Sequence, residues 1–173
     1  MHVELLNASD AVQYRTLMLE AYTLAADAFT STAEERASEP DSFWAKRIAG
    51  TLQTSAAFGA FLGQNLVGTV ALEFASKPKT KHKGHVIGMY VRPDARGTGA
   101  GRALLQAAVD YANVMPDIQL LNLSVTEGNE AAVKLYRCFG FESFGIEPMA
   151  ILTPSGYKAK LHMWLPLKSG HLI

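Results

Sequence analysis

Gly88-Met89-Tyr90-Val91-Arg92-Pro93-Asp94-Ala95-Arg96-Gly97-Thr98-Gly99-Ala100-Gly101-Arg102 runs from an apolar strand, through a proline turn, into three glycines in five residues. Glycine carries no Cβ, so such a turn can point its backbone N–H groups inward with no side chain in the way. A helix opening near Gly101 adds its own free N–H groups and the positive end of its dipole. Strand, turn and helix together predict an anion site suited to a pyrophosphate, held by Arg96, Gly97, Thr98, Gly99, Ala100, Gly101 and Arg102. Arg96 and Arg102 read either as charge-assisted contacts or as solvated cations. The dinucleotide pattern Gly-x-Gly-x-x-Gly fails here in both registers, because the last position is Arg102 counting from Gly97 and Leu104 counting from Gly99. No Gly-Lys-Ser/Thr follows, so the nucleotide-triphosphate loop fails too. For the glycines taken alone, a strand-to-helix turn without any ligand stays open.

The rest of the chain sets bounds on function. Its 173 residues, 49% of them apolar, predict one soluble globular domain over residues 1–173 with a sizeable core. Sixteen Lys and Arg balance sixteen Asp and Glu, and that neutrality argues against a nucleic-acid partner despite the basic run Lys77–Lys83. Cys138 is the lone cysteine; it excludes an internal disulfide, fits a reducing cytoplasm and reads as a buried inert thiol. Met1-His2-Val3-Glu4 lacks a signal-peptide pattern, and no apolar run is long enough for a membrane span. A cytoplasmic protein without a membrane partner is therefore expected.

Outward from the glycine loop, the periodicities predict a strand over Val3–Asn7 and a helix capped by Ser9 or Asp10, with Ala11, Tyr14, Leu17, Met18 and Tyr22 on its apolar face. A polar segment, Asp27–Pro40, precedes a helix around Asp41–Gly50. Ser55–Leu62 and Leu66–Phe74 form a hairpin through Gly63-Gln64-Asn65. Lys77–Gly84 is an exposed loop, and His85–Val91 the strand that enters the glycine turn. A helix over Ala103–Val114, a strand over Leu120–Val125 and a helix over Glu130–Phe139 stopped by Gly140 come next. Phe141–Ile146 and Tyr157–Leu165 close the chain as strands around Pro154-Ser155-Gly156. This order predicts a mixed α/β (α+β) fold rather than a regularly alternating one.

A second informative stretch lies downstream, Leu121-Asn122-Leu123-Ser124-Val125-Thr126-Glu127-Gly128-Asn129-Glu130-Ala131-Ala132-Val133-Lys134-Leu135-Tyr136-Arg137-Cys138-Phe139-Gly140-Phe141. Asn129 and Tyr136 are seven positions apart, two helical turns, and so share nearly one face. Arg96-Gly97-Thr98-Gly99-Ala100-Gly101 resembles the Arg/Gln-x-x-Gly-x-Gly/Ala signature of the GCN5-related N-acetyltransferase (GNAT) family. Val91-Arg92-Pro93 before it, Leu104-Leu105 after it, and the downstream Asn-x-x-Ala, Leu-Tyr and Gly-Phe pairs are similar as well. The likeness covers Leu66–Gly145, extends loosely to Leu161–Leu165, and over the first sixty residues is one of layout alone.

The resemblance implies a GNAT-like fold: a central, mostly antiparallel twisted sheet of six to seven strands flanked by about four helices. It implies acetyl-CoA as the acyl donor, with no metal, and a small-molecule or peptide amine as acceptor. Homodimerisation is compatible with it. Met89 and Val91 would contact the pantetheine arm through backbone groups, and an amide near Tyr90 or Val91 would polarise the thioester carbonyl. Asn129 would hold the pantetheine arm or cap its helix. Tyr136 would donate a proton or hydrogen bond to the departing sulfur, with packing as the alternative.

The base and the acceptor site are less defined. His85 occupies roughly the place of a glutamate that many relatives carry, and Glu73 at the end of the preceding strand is its rival. Either also reads as an exposed strand-end residue. His82 and His85 have metal-like spacing but no further ligands beside them. The acceptor is expected between Glu20–Trp44 and the last strands, with Tyr22, Asp27, Phe29 and Trp44 as candidates or as packing residues. An acyl-CoA sensor without turnover, and a nucleotide-binding protein of another kind, are the competing functions.

Overall fold

The computed structural model describes residues 1–49 and 54–167. It contains seven strands in one sheet: β1 (His2–Leu5), β2 (Ser55–Leu62), β3 (Asn65–Phe74), β4 (Lys83–Val91), β5 (Leu120–Thr126), β6 (Glu142–Thr153) and β7 (Gly156–Pro166). Their spatial order is β1-β2-β3-β4-β5-β7-β6. All neighbours are antiparallel except β4 and β5. Five helices flank them: α1 (Ala11–Leu24), α2 (Ala33–Ala37), α3 (Asp41–Ile48), α4 (Ala100–Val114) and α5 (Glu130–Cys138). The expected mixed fold is the observed one, with one short helix more than anticipated. Gly50, the end expected for the third helix, lies outside the described residues.

Each face of the sheet has its own apolar layer. Leu104, Leu105, Ala108, Val109 and Ala112 of α4 are buried against Val70, Leu72, Val86 and Leu121. Tyr14, Leu17, Met18, Ala21 and Tyr22 of α1 are buried with Trp44 and Ile48 of α3 on the opposite face. These are the residues that the three- and four-residue spacings of the helices select. Trp44 is fully buried, edge-on to both Tyr14 and Phe43. It is a core residue on which the two helices meet, and truncating it to alanine would cost about 3–5 kcal/mol.

Two departures from regular pairing shape the middle of the sheet. The first is a bulge in β4. Thr69 pairs with Tyr90 and Ala71 with Ile87, so Gly88 and Met89 together face Val70. Gly88 sits there at φ +61°, the left-handed conformation that a bulge glycine supplies. The extra residue inverts the alternation of β4. Ile87 before the bulge and Tyr90 after it both pack on the α1 face, while Met89 and Val91 pack on the α4 face.

The second departure is a splay. β4 and β5 pair only over Lys83–His85 and Leu120–Asn122. β5 goes on pairing with β7 as far as Thr126, so β4 and β5 part like the arms of a V. The unpaired edge of β4 leads directly into the glycine loop.

Several boundaries move for identifiable reasons. β6 runs to Thr153 rather than stopping at Ile146, with its register shifting between Glu147 and Ile151. Pro148 lies in that irregularity, and β6 is the sheet edge, where a residue without an N–H is tolerated. α5 ends as expected, with Gly140 at φ +90° and the N–H of Phe141 bonded to Tyr136 O at 3.1 Å. Cys138 is exposed, which corrects the expectation of a buried thiol. Tyr136 takes the core-facing position of that turn, and Cys138 lies two residues on, facing out. No helix among the described residues is long and apolar enough to cross a membrane.

Candidate functional site

The glycine loop sits at the open end of the splay. After a single 3-10 turn at Pro93–Ala95, Gly97 and Gly99 adopt φ of +75° and +88°. A Cβ at either would meet nothing within 4 Å, so glycine is needed there for its backbone angle and not for space. Arg96 Nε donates to Val91 O at 3.1 Å, and Thr98 Oγ1 donates to Ala95 O at 2.7 Å. The first bond ties the loop back onto the end of β4, and the second ties it onto the 3-10 turn. The first backbone bond into the loop is Ala103 N–H to Gly99 O. Among the described residues, none of the amides from Gly97 to Arg102 has a backbone acceptor. They are a row of free donors at a helix start, three residues earlier than the helix was expected, with Arg96 and Arg102 exposed beside them. Arg102 stands over the ring of Phe139 at 5.3 Å, which fixes its guanidinium between α4 and α5.

A cleft of about 350 Å³ occupies the splay and is walled by α1, the α1–α3 connection, β4, β5 and α5. It brings together Met89, His85, Asn129 and Tyr136 among the residues singled out from the sequence, and Tyr22 and Phe29 among the acceptor candidates. Thr126 also lines it, and Thr126 Oγ1 is buried with no hydrogen-bond partner among the described residues. Such an orphaned hydroxyl is costly unless a ligand answers it.

Tyr136 is buried, its ring edge-on to Phe141 at 5.7 Å. Burial pushes its phenol up to about 12, so it keeps its proton throughout the neutral range. His85 is half-buried, and its Nδ1 bonds to Asn122 Oδ1 across the last β4–β5 pair. An amide oxygen only accepts, so Nδ1 carries a hydrogen, and in the neutral ring Nε2 holds the lone pair. Asn122 was not recognised from the sequence as functional. The signal available was alternation along β5, where Asn122 and Ser124 interrupt Leu121, Leu123 and Val125.

The remaining predicted residues divide. Glu73 pairs in register with His85 but is exposed and does not line the cleft. Tyr90 turns its side chain away from the splay and donates to Glu20 Oε1 at 2.9 Å. Burial, and then the Glu20 carboxylate, push that phenol up to about 12. Only its backbone can serve a ligand in the gap. Val91 stays on the α4 face near Gly101, whose absent Cβ would stand 3.9 Å from it. Asn129 caps α5, its Oδ1 accepting from Ala132 N–H at 3.3 Å. Asp27 is ion-paired with Lys158 Nζ at 2.5 Å, which pins the α1–α2 connection to β7. Trp44 lies in the core.

A larger cavity, about 830 Å³, opens on the other side of α5 toward β6 and β7. It reaches Asn129 and Cys138 but neither His85, Tyr136 nor the glycine loop. The smaller cleft holds the reactive groups and is the candidate site. Among the described residues no cluster of three His, Cys, Asp or Glu is placed to hold a metal ion.

Known proteins share this fold. Residues 18–141 match the family model described as "Acetyltransferase (GNAT) family". The N-alpha-acetyltransferase RimI of Mycobacterium tuberculosis is 35% identical over 89 residues, covering 51% of this chain and 52% of that protein. An L-methionine sulfoximine/L-methionine sulfone acetyltransferase of Pseudomonas aeruginosa is 38% identical over 60 residues, covering 35% of this chain and 34% of that protein. The chain spans about half or less of the length of the curated relatives it matches. The fold superposes on a putative acetyltransferase from Salmonella typhimurium, solved with its cofactor acetyl-CoA. That match has a TM-score of 0.82 at 17% identity and covers 100% of this chain and 97% of the other.

Proposed function

The chain belongs to the acetyltransferase (GNAT) family, and from that premise we propose that it transfers an acetyl group from acetyl-CoA to a primary amine by direct attack in a ternary complex. The observation that carries this reading is the continuity of the splay. A row of free amides from Gly97 to Arg102 stands at one end, and His85 and Tyr136 face one cleft inside it. The amides, the helix start and Arg96 with Arg102 suit a pyrophosphate. The unpaired edge of β4 suits an extended arm carrying amide groups, which adds to a strand edge as another strand would. Thr126, whose hydroxyl is orphaned, lines the same cleft.

The residues divide the chemistry as follows. The amine nitrogen attacks the thioester carbon, the C–S bond breaks, and the proton shed by nitrogen passes to His85 Nε2 directly or through water. Asn122 positions the imidazole by holding Nδ1–H. A β4 amide near Tyr90 or Val91 supports the developing oxyanion. Tyr136 faces the departing sulfur. Full proton transfer from a phenol at about 12 to a thiolate of ordinary pKa, near 8.5, is uphill by about 5 kcal/mol. Tyr136 therefore steadies the thiolate by hydrogen bonding, and water protonates it after release. Holding both substrates in one cleft supplies much of the rate.

Release of CoA thiol from acetyl-CoA, followed with a panel of primary amines, tests this reading. Amine-dependent thiol release and an N-acetylated product are expected. Tight acetyl-CoA binding without turnover of any amine would instead make the chain an acyl-CoA-binding module.

A further inference from the structure

The acceptor end of the cleft has an uneven charge. Among the described residues that line it there is no Asp or Glu, yet Arg36, Arg47 and Lys160 all do. Arg36 and Arg47 stand over the same ring, that of Phe43, at 5.0 and 5.5 Å. Arg36 is answered by Glu39 at 3.2 Å and held by Ser31 Oγ at 2.8 and 3.0 Å. Arg47 has no carboxylate within ion-pair distance among the described residues. Its guanidinium shares a hydrogen bond with the Tyr14 phenol and feels the Glu73 carboxylate more weakly. Glu39 answers one of the two half-buried guanidiniums on that ring, and Arg47 is the one left for an anion from outside. A planar guanidinium fork is also the side chain best matched to a carboxylate.

We infer that the amine acceptor carries its own carboxylate, as a free α-amino acid does, and that Arg47, supported by Arg36, binds that carboxylate while the amino group faces His85. This rests on the acetyl-transfer reading above. Tyr22 and Phe29, edge-on at 5.2 Å, and Met18 offer an apolar wall for the side chain. Polyamines fit badly, since no Asp or Glu lines the cleft among the described residues. A peptide N-terminus fits badly too, because its nearest carboxyl is an amide.

The test compares kcat/KM for matched acceptors: L-phenylalanine, L-methionine and L-glutamate against their α-amides, with spermidine and a blocked-C-terminus tripeptide alongside. The free acids are expected to be preferred over their amides on the order of 10- to 100-fold, the usual worth of a charge-assisted pair. Arg47→Gln should collapse that ratio toward one, and Arg47→Lys should restore part of it. A merely structural Arg47 would lower acids and amides alike and leave the ratio unchanged, which overturns the inference. Amides, spermidine or the tripeptide as the best acceptors would overturn it while leaving acetyl transfer intact. Bound acetyl-CoA with no amine acetylated at all would overturn the transfer reading, and the inference with it.

Discussion

Gly99 and Gly101 differ in what they ask of a side chain, and exchanging each for alanine separates loop geometry from loop composition. Gly99 precedes α4 at φ +88°, with open space where a Cβ would go. Alanine there meets no neighbour, but the left-handed conformation costs it about 1–2 kcal/mol. Rotation of Gly99 relieves that strain, and it turns the Gly99 and Ala100 amides away from the anion. Each charge-assisted hydrogen bond so lost is worth about 1.5–3 kcal/mol, which is about 10- to 150-fold in affinity. Gly101 lies inside the first turn of α4, and a Cβ there would stand 3.5 Å from Leu135 Cδ2 and from Met89 Cε, an ordinary contact. Alanine also favours a helix interior over glycine by about 1 kcal/mol. Calorimetric titration with acetyl-CoA should therefore show Gly99→Ala weakened at least tenfold and Gly101→Ala within about threefold of the wild type. Thermal melts run in parallel report the strain. Equal affinities for wild type and Gly99→Ala, or an equal loss in both variants, would refute the amide-cradle argument.

Three further outcomes follow from named contacts. Tyr136→Phe keeps the ring on Phe141 and removes one hydrogen bond to a charged sulfur, so kcat should fall about 10- to 150-fold with acetyl-CoA affinity unchanged; unchanged kcat removes Tyr136 from the chemistry. Asn122→Ala frees the His85 ring at the cost of about one net hydrogen bond, so kcat/KM for the amine should fall about fivefold while the Kd of acetyl-CoA stays put, and an unaltered kcat/KM would count against His85 as base. Tyr90 and Tyr136 are both pushed up to about 12 in the folded protein, so the folded state keeps protons that the unfolded chain releases near its ordinary pKa of about 10. Their contribution to stability is thus complete below about pH 10 and lost as the pH climbs toward 12. Urea midpoints at pH 9 and 11 measure it, and a midpoint that rises over that interval contradicts the assignment.

The glycine loop and the face of α5 are legible in the sequence because their determinants are local. Gly97 and Gly99 declare a backbone requirement within three residues, and Asn129 with Tyr136 a helical one. The plain-strand reading of His85–Val91 misses the bulge at Gly88, although a lone glycine inside a strand marks one; that bulge turns Tyr90 to α1 rather than into the gap. The splay could not be read in that way. It depends on where β5 leaves β4, and only the pairing of His85 with Asn122 marks the place. The same non-local cause separates His85 from Glu73: they are neighbours in register on adjacent strands, yet only His85 borders the gap. In the sequence Arg36 and Arg47 are ordinary helix-surface arginines, and only folding sets both on Phe43. Cys138 was misjudged by its apolar neighbours, when its position on α5 relative to Tyr136 decides its exposure.

The most direct measurement of the central claim is a crystal structure with acetyl-CoA bound. The account predicts the pyrophosphate on the amides of Gly97–Arg102, the pantetheine arm along the unpaired edge of β4, and the thioester between His85 and Tyr136. A pyrophosphate bound away from those amides, or a thioester in the larger cavity beyond α5, would contradict it.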